Sequence, residues 1–559
     1  MEKINKISDI KTRNDLAKFL NIPISKLTYI LYVKKTENYY KSFDIPKKNG
    51  GVRHINAPQG DLKEIQRKLA DALWIFKYEL IKNNKIQANL SQAFEKRKGI
   101  ITNAIIHRNK RFILNIDLEN FFDSFHFGRV KGYFEKNRYL NLPKEVATII
   151  AQLTCYNGCL PQGAPSSPII TNLICSILDM RLVKIAHRYK LDYSRYADDM
   201  TFSTNDIKFI DHQQLIIYEI SKEIKIFGFS INVNKTRIIF KDSRQEVTGL
   251  VVNKKVNVNK DYYKKTRAMS DSLYKNGEFY LNGYVGTIKQ LEGRFSFIDQ
   301  LDHYNNKIDD SNKHSFKNLN SREKQYQTFL FYKYFFANSK PLLVTEGKTD
   351  IVYLKASLKK YHSEYPKLIT KKGDKFDFHV TFLRRTERLE YFLGIQQDGA
   401  DTMKNIYNFY SGNIGLPNLY KNLSDKSFLK STNPVILIFD NERESDRPLK
   451  KFMNCLKPNE KLVNGTYKNI INNLYLLTNP LVKGMNECEI EDLFDNTVLT
   501  HRIREKNFSR DKDYDKDKYY GKAIFSQYIA SNYETINFCE FKPMLEDLNK
   551  IISDMKKQG

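Results

Sequence analysis

The spacing of apolar residues along the first half of the chain predicts helices and strands in alternation. Apolar residues recur every three or four positions in "LKEIQRKLADALWIFKYEL" and again in "PIITNLICSILDMRLVKIAHRY", which is typical of helices. Shorter apolar runs that end in polar residues, "RFILNIDLENFF" and "SRYADDMTFST", predict strands. We therefore expect an α+β fold in this half.

The second half has a different pattern, which begins after a polar run from Asn305 to Lys324. The apolar runs in "PLLVTEGKTD" and "PVILIFDNERESD" are bounded by Pro and end in acids, as expected for parallel strands that are buried on both faces. Ligands of open α/β sheets bind at the carboxyl ends of the strands, so these acids would lie at a binding edge. The pattern predicts a second, α/β domain.

Composition indicates the kind of partner. The 92 Lys and Arg residues exceed the 64 Asp and Glu residues and give a formal charge of +28, a surplus that favours nucleic acid as a partner. The six cysteines are too few and too scattered for a disulfide scaffold, and no stretch approaches 18 consecutive apolar residues. We expect a cytoplasmic protein with no membrane partner, and a homo-oligomer is left open.

Two adjacent carboxylates, Asp198 and Asp199, interrupt one of the predicted strands. Neighbouring side chains of a strand point to opposite faces, so both can reach one metal only if the backbone turns there. Asp117, at the end of another apolar strand, is the natural third acid. Three acids in a small volume repel one another, so the cluster predicts divalent cations, two Mg²⁺ ions about 3.5–4 Å apart.

Four sequence blocks in order resemble reverse transcriptases over about residues 45–253: "ILNIDLENFFDSF", "LPQGAPSSPIITNLI", "YADD" and "GFSINVNKTRI". The resemblance implies a right-hand-like polymerase with fingers, palm and thumb, in which the three aspartates are catalytic and hold the metals. It also implies nucleotide-binding roles for five residues. These are Arg53, Phe122, Gln162, Gly163 and Lys235. Phe122 would exclude a 2′-hydroxyl, although plain core packing explains it equally well.

Two shorter elements narrow the resemblance to the bacterial retron reverse transcriptases. They are "NAIIH", with Asn103, Ala104 and His107, and "VTG", with Val247, Thr248 and Gly249. The resemblance implies that a structured noncoding RNA (msr-msd type) is bound and primed from a 2′-hydroxyl. The product would be branched, RNA-linked single-stranded DNA made from dNTPs.

The acids of the second half resemble those of the TOPRIM fold, a metal-dependent phosphoryl-transfer module with a Rossmann-like parallel sheet. Glu346 would be catalytic and would bind one or two Mg²⁺ ions with Asp350, Asp440 and Glu442. The family has Asp at the position of Glu442, so this residue departs from its pattern. Weaker candidates complete the set: Asp401, Asp446, Glu491 and Lys522.

The combined interpretation is a retron reverse transcriptase fused to a TOPRIM nuclease that acts in antiphage defence. We expect the polymerase at 1–315, with fingers and palm at about 40–255 and a thumb at about 256–315. A linker would follow at 316–338, and the TOPRIM domain with a C-terminal extension at 339–559. Two alternatives stay open, an enzyme similar to group II intron reverse transcriptases with an accessory endonuclease, and a catalytically silent RNA-binding scaffold.

Overall fold

The computed structural model of this protein describes residues 6–47, 50–308, 315–397, 399–444, 446–511 and 513–558. The chain divides into two compact units, residues 1–260 and 261–559. Residues 309–314, within the polar run noted above, lie outside the described residues. All six cysteines are free thiols, in line with the expectation from their spacing. Among the described helices, none is both long enough and apolar enough to cross a membrane.

The first unit combines two antiparallel sheets and a small two-stranded ribbon with helices. Its helices are α1 (Arg13–Phe19), α2 (Ile24–Thr28), α3 (Gly60–Lys82), α4 (Ile100–Ile106), α5 (Phe127–Lys136), α6 (Lys144–Thr154), α7 (Ser167–Arg188) and α8 (Phe209–Ile226). Its strands are β1 (Tyr40–Pro46), β2 (Val52–Pro58), β3 (Phe112–Asp117), β4 (Asp192–Tyr196), β5 (Asp199–Thr204), β6 (Arg237–Phe240), β7 (Glu246–Val247) and β8 (Leu250–Val251).

The central sheet of this unit has the strand order β4-β5-β3-β6, and every pair in it is antiparallel. One face carries Leu114, Ile116 and Phe202, which belong to a buried apolar cluster that includes residues of α5, α6 and α7. Since side chains alternate along a strand, the other face carries the polar residues of β3 and β5. This polar face positions the candidate site. The α+β expectation for the first half is confirmed.

The second unit contains a mainly parallel sheet covered by helices. Its helices are α9 (Lys260–Asn276), α10 (Ile288–Ile308), α11 (Ser321–Phe331), α12 (Lys348–Lys360), α13 (Glu387–Leu393), α14 (Lys404–Ser411), α15 (Leu419–Ser424), α16 (Pro448–Cys455), α17 (Asn496–Leu499), α18 (Lys522–Ser531) and α19 (Lys542–Gln558). Its strands are β9 (Tyr280–Leu281), β10 (Tyr284–Val285), β11 (Leu342–Val344), β12 (Ile369–Lys372), β13 (Lys375–Phe378), β14 (Thr381–Phe382), β15 (Val435–Phe439), β16 (Tyr467–Ile471), β17 (Leu474–Thr478), β18 (Asn507–Phe508) and β19 (Tyr519–Tyr520).

The main sheet of the second unit has the strand order β14-β11-β15-β17-β16. Strands β14, β11, β15 and β17 are parallel, and β16 is antiparallel to β17. All residues of β11, β15 and β17 are buried, because helices cover both faces of the sheet. The sequence pattern predicted this parallel, doubly covered sheet.

The prediction of a linker at 316–338 is wrong. Most of this segment forms α11 and the helical turn Tyr332–Phe336, and Phe329, Leu330 and Phe335 are buried. They share one apolar cluster with Leu273 of α9 and with the main sheet of the second unit. The polar run before α11 marked no domain boundary, because the aromatic residues that follow it pack into a core. The division at residue 260 also places the segment expected as the thumb, α9 and α10, in the second unit.

A cavity at α11 should destabilise the second unit. Because Phe329 is fully buried, we expect Phe329→Ala to lower the free energy of unfolding by about 3–5 kcal/mol. Denaturant unfolding followed by circular dichroism measures this loss. The control is Phe428→Ala, at a side chain that is 88% exposed, which should change stability by no more than about 0.5 kcal/mol. Equal effects of the two substitutions would contradict a buried α11.

Candidate active site

Three aspartates meet where strands β3 and β5 lie side by side. Asp117, the last residue of β3, is paired directly with Asp199, the first residue of β5. Side chains of directly opposite residues project from the same face, with Cβ atoms about 4.5–5.5 Å apart. Asp198 immediately precedes β5, and its carbonyl oxygen accepts a hydrogen bond from the Leu118 amide at 3.1 Å. The predicted convergence of the three acids is present in the strand register.

The loop that carries Asp198 contains only two residues, because Tyr196 of β4 already pairs with Asp199 of β5. Its first residue, Ala197, has a φ of +57°, a left-handed conformation that is costly for a residue with a Cβ atom. A positive φ at the first position of a two-residue loop matches the right-handed twist of the flanking strands. The backbone turn that the sequence required between the paired acids therefore exists.

The pKa values of Asp198 and Asp199 are raised in this cluster. Burial and the charges of Asp198 and Asp117 raise the pKa of Asp199 to about 7. Burial and the charge of Asp117 also raise the pKa of Asp198. Like charges this close to one another disfavour the ionised form of each further carboxyl group. The cluster holds excess negative charge that a cation would neutralise.

A lysine occupies the position next to these acids. Lys235 Nζ lies 3.0 and 3.1 Å from the two carboxylate oxygens of Asp117. The donor chemistry of three carboxylates fits Mg²⁺, which prefers hard oxygen ligands. Among the described residues, no group of three or more His, Cys, Asp or Glu side chains is already arranged to hold a metal ion. Lys235 would have to move away before both carboxylate oxygens of Asp117 could bind a metal.

Three of the five predicted nucleotide-binding residues, Arg53, Gln162 and Gly163, come from the β1–β2 hairpin and the loop before α7. The amide of Asn56 in β2 donates a hydrogen bond of 2.7 Å to the carbonyl of Gln162. Gly163 has a φ of +114°, and a Cβ atom there would lie 2.7 Å from Ile55 Cγ2 and 3.1 Å from the Asn56 carbonyl oxygen. Only glycine fits this close approach. Arg53, on the same hairpin, lies near enough for its charge to lower the pKa of Asp198.

The remaining predicted residues of the first unit range from fully buried to exposed. Phe122 is half-buried and packs edge-on against Phe121. In the "NAIIH" element, Asn103, Ala104 and His107 are buried in and just after α4. The "VTG" element forms the tight turn between β7 and β8. Sequence reasoning missed Asn115, Asp179, Ser194, Arg195 and Ser203, which support the site from within the fold, because they have no distinguishing local pattern.

Comparison with known proteins places the first unit in a family. A model of the reverse transcriptase (RNA-dependent DNA polymerase) family matches residues 45–258. The retron Ec86 reverse transcriptase of Escherichia coli is 34% identical over 292 residues, which are 52% of this chain and 84% of that protein. The chain belongs to the retron reverse transcriptase family. The retron Mx162 reverse transcriptase of Myxococcus xanthus is 30% identical over 334 residues, which are 54% of this chain and 66% of that protein.

Solved structures similar to this retron reverse transcriptase include two telomerases. Truncated apo telomerase from Candida Tropicalis is 15% identical with a TM-score of 0.26, and the match covers 42% of this chain and 58% of that one. Telomerase from Candida albicans, in complex with a TWJ fragment of telomeric RNA, is 12% identical with a TM-score of 0.33 and coverages of 70% and 66%. The assignment to the family rests on the sequence relatives.

The second unit of this retron reverse transcriptase contains another acidic cluster, at the carboxyl edge of its main sheet. Glu346 follows β11, and its Oε1 accepts a hydrogen bond of 3.0 Å from the amide of Asp440, which follows β15. Asp440 Oδ1 accepts from the Ile490 amide at 2.9 Å and from Asn479 Nδ2 at 2.6 Å. Asp350 Oδ2 accepts from the amide of Gly347 at the start of α12. The parallel strands thus bring the predicted acids together.

Burial and mutual repulsion shift the ionisation of these acids. Burial and the charges of Asp350 and Glu442 raise the pKa of Glu346 to about 8. Burial and the charge of Glu346 hold the pKa of Asp440 well above its usual value. Burial also raises the pKa of Asp350. As in the first unit, the cluster would be stabilised by a cation.

Two of the weaker candidates join this cluster. Glu491 is fully buried and forms an ion pair of 3.0 Å with Lys522 Nζ. Burial would lower the pKa of Lys522, but the charges of Glu491, Glu489 and Asp440 raise it. Lys522 therefore remains a cation beside Asp440. Glu489, which sequence reasoning missed, also lies 3.8 Å from Lys522, and only its place in the acidic "NECEIEDLF" segment could have indicated it.

Two of the other candidates of the second unit, Glu442 and Asp401, have charged partners nearby. Glu442 is buried, and its Oε1 lies 3.5 Å from Arg447 Nε. Asp401 is exposed and lies 3.8 Å from Lys451 Nζ. Asp446 is exposed as well. Glu442 still contributes to the electrostatics of Glu346, whereas Asp401 and Asp446 are absent from the charges that shift the cluster's acids.

Removing one charge from the first cluster should stabilise the metal-free protein in a pH-dependent way. The raised pKa of Asp199 means that its neutral form favours folding, so its contribution is present below about pH 4 and is lost as the pH rises through about 7. In EDTA, we expect Asp199→Asn to raise the melting temperature at pH 8 by about 2–4 °C and to change it little at pH 4. The control, Asp211→Asn at an exposed acid of α8, should show no such pH dependence. A stabilisation of equal size at both pH values would contradict the electrostatic account.

Proposed function

We propose that this retron reverse transcriptase copies a structured noncoding RNA into single-stranded DNA at the site formed by Asp117, Asp198 and Asp199. The observation that carries the proposal is the register that places Asp117 opposite Asp199, beside the turn at Asp198. These carboxylates would hold two Mg²⁺ ions. When bound, such ions supply activation of a hydroxyl nucleophile and stabilisation of the charge on a leaving phosphate.

The surrounding residues would bind and orient the incoming dNTP. Arg53 is suited to the triphosphate, because a guanidinium binds phosphate oxygens in pairs and its charge reaches Asp198. Gln162 and Gly163 would line the nucleotide pocket, which the hydrogen bond to Asn56 fixes to the same hairpin. Phe122 would exclude a 2′-hydroxyl by its ring. Lys235 would supply a cation for a phosphate once it leaves Asp117.

The partner would be a msr-msd type noncoding RNA, and the reaction would start from a 2′-hydroxyl of that RNA. The support is the family of the chain and its formal charge of +28, which suits a polyanion. An enzyme similar to group II intron reverse transcriptases would make unbranched DNA instead, and a silent scaffold would bind RNA without synthesis. The structure of the product therefore discriminates among the three readings.

The first test measures synthesis and branching. The purified protein with its RNA and dNTPs should give DNA joined to RNA by a 2′,5′ linkage, detected by sensitivity to a debranching enzyme. Loss of a metal-binding charge removes several kcal/mol of transition-state stabilisation, so Asp198→Asn should reduce the rate of dNTP incorporation about a thousandfold. Asp211→Asn is the matched control. Linear DNA would favour the intron-like reading, and unimpaired synthesis by Asp198→Asn would refute this site.

A second function is favoured by the acidic cluster of the second unit. We infer that the unit is a TOPRIM-like nuclease in which Glu346, Asp350 and Asp440 bind Mg²⁺, with Glu442 as a further ligand. The supporting observation is that strand ends from β11 and β15 bring Glu346 against Asp440 at a binding edge. Their raised pKa values are typical of acids that await a cation. Carboxylate oxygens are the ligands that fit Mg²⁺.

Lys522 gives this cluster a positive group that could face a substrate phosphate. Its Nζ is held by Glu491 at 3.0 Å and remains protonated. A fixed cation next to metal-binding acids can stabilise the charge that develops on a phosphate during cleavage. Glu442, which stands where the TOPRIM family has Asp, could still act as a ligand. Its carboxylate would need only to leave Arg447.

The proposed role of the nuclease is antiphage defence in the bacterial cytoplasm, with the RNA-linked DNA holding it silent. The support is the occurrence of both sites in one chain.

The second test separates the two sites. With Mg²⁺ and after degradation of the bound DNA, the protein should cleave nucleic acid, and Glu346→Gln or Asp440→Asn should abolish cleavage while dNTP incorporation persists. Asp377→Asn, at an exposed acid of β13, is the control and should cleave normally. Cleavage that survives both substitutions would exclude this cluster, and cleavage that is equal before and after DNA degradation would exclude control by the product.

A further inference from the structure

Three residues of the "NAIIH" element, Asn103, Ala104 and His107, are inaccessible to RNA. His107 is 0% exposed and Asn103 is 1% exposed, and Ala104 between them is also buried. A side chain without accessible surface cannot contact a macromolecule that binds from outside. The element must therefore act on other parts of the protein, and its hydrogen bonds identify which parts.

His107 connects the two strands of the catalytic hairpin. Its Nδ1 lies 2.7 Å from Ser203 Oγ on β5, and its Nε2 lies 2.8 Å from Ser194 Oγ on β4. Ser194 Oγ in turn donates a hydrogen bond of 2.6 Å to Asn103 Oδ1. Both polar residues of the element are thus bound to the hairpin whose turn carries Asp198.

The direction of each hydrogen bond in this chain is determined. Burial lowers the pKa of His107 to about 3, so the ring is neutral and has one donor and one acceptor nitrogen. Because Ser194 uses its proton on Asn103, it must accept from His107 Nε2–H. Nδ1 is then the acceptor and takes the proton of Ser203. Each donor in this series of hydrogen bonds has an acceptor, and together the bonds fix the orientation of the His107 ring and the rotamers of Ser194 and Ser203.

These contacts lie on the face of the sheet that carries the catalytic acids. Ser194 is opposite Thr201, and Asp199, Thr201 and Ser203 alternate onto the same face of β5. Thr201 Oγ1 donates a hydrogen bond of 3.1 Å to Asn115 Oδ1. Asn115 lies two residues before Asp117 on β3, so the two side chains are neighbours on the same face. These hydrogen-bonded polar pairs form a polar ladder on the face of the sheet that carries the aspartates.

The opposite face of the hairpin is held by a buried ion pair. Arg195 is fully buried, and its Nε and Nη2 bind the two carboxylate oxygens of Asp179 on α7 at 2.9 and 2.8 Å. Its Nη1 donates to the carbonyl oxygen of Ala197 at 3.2 Å. Ala197 is the residue with the unfavourable φ of +57°. Arg195 thus holds the turn from one face of the hairpin, and His107 holds the two strands from the other face.

The second family element holds α4 in place. Val247 is buried, and Thr248 and Gly249 have φ values of +47° and +79° that form a tight turn. Thr248 Oγ1 donates to the carbonyl of Ile100 at the start of α4, at 3.3 Å. Glu246 directly precedes this element, and its carbonyl oxygen accepts a hydrogen bond of 3.0 Å from Asn115 Nδ2. The two elements therefore contact the same polar ladder.

We propose that Asn103 and His107 are positioning residues for polymerisation, which hold strands β4 and β5 in the register that brings Asp198 and Asp199 to Asp117. The proposal rests on the proposed catalytic role of these three aspartates. It assigns to the "NAIIH" element the geometry of the active site instead of recognition of the RNA. Loss of the His107 hydrogen bonds would loosen the hairpin without removing any group that touches the nucleic acid.

The experiment compares His107→Leu with His107→Gln, whose amide can replace both hydrogen bonds, one as donor and one as acceptor. On a generic RNA template with an annealed DNA primer, His107→Leu should lower the single-turnover rate about 10–100-fold, the range for a misplaced active-site geometry. His107→Gln should recover most of that rate. The Kd for the noncoding RNA should stay within about twofold for both variants. The control, His187→Leu, changes an exposed histidine of α7 and should match the parent.

A second measurement keeps the proposal testable if His107→Leu folds poorly. Ser203→Ala removes the proton that Nδ1 accepts, and it should slow incorporation and speed amide hydrogen exchange in residues 192–204 with unchanged RNA affinity. The proposal is overturned if His107→Leu or Ser203→Ala weakens RNA binding while the rate on the generic template is normal. It is also overturned if His107→Gln is as slow as His107→Leu. An active Asp198→Asn would instead refute the underlying catalytic assignment.

Discussion

The antiparallel pairing of β3 with β5 is the constraint on which the polymerase site depends. It places Asp117 and Asp199 opposite each other at a spacing that no pair of free carboxylates would choose, because their charges repel. The backbone hydrogen bonds of the sheet and the apolar face beneath it offset this repulsion. The raised pKa of Asp199 is the visible consequence, and it makes the cluster receptive to a cation.

The polar face of the same sheet imposes a second requirement. Side chains such as Asn115, Thr201 and Ser194 are largely buried there, and buried polar groups are costly unless they are hydrogen-bonded. Helix α4 meets this requirement through Asn103 and His107. One set of contacts therefore satisfies the polar face and also holds the strands on either side of the turn at Asp198.

The second unit applies the same physical logic to a different sheet. Parallel strands end at one edge, so acids that follow β11 and β15 meet there whatever their separation in sequence. Helices α9 and α10, expected as a thumb, belong to the core of this unit, since Leu273 and Phe295 share its apolar cluster with α11. Helices α9 and α10 and the sheet with the acidic edge thus share one core, and a displacement of these helices would disturb the packing of that sheet.

The sequence by itself determined the elements whose signal is local. Apolar spacing predicted the helices, the parallel sheet and the strands that end in acids, and the order of four blocks indicated the polymerase around Asp117, Asp198 and Asp199. It misjudged residues 316–338, because a polar run says nothing about whether the aromatic residues after it find a core. It also treated His107 as a family mark with no physical role. Tertiary structure alone showed the hydrogen-bond partners of His107 and the partners of Arg195, Glu491 and Lys522, because these contacts join residues that are 16 to 96 positions apart, which no local pattern records.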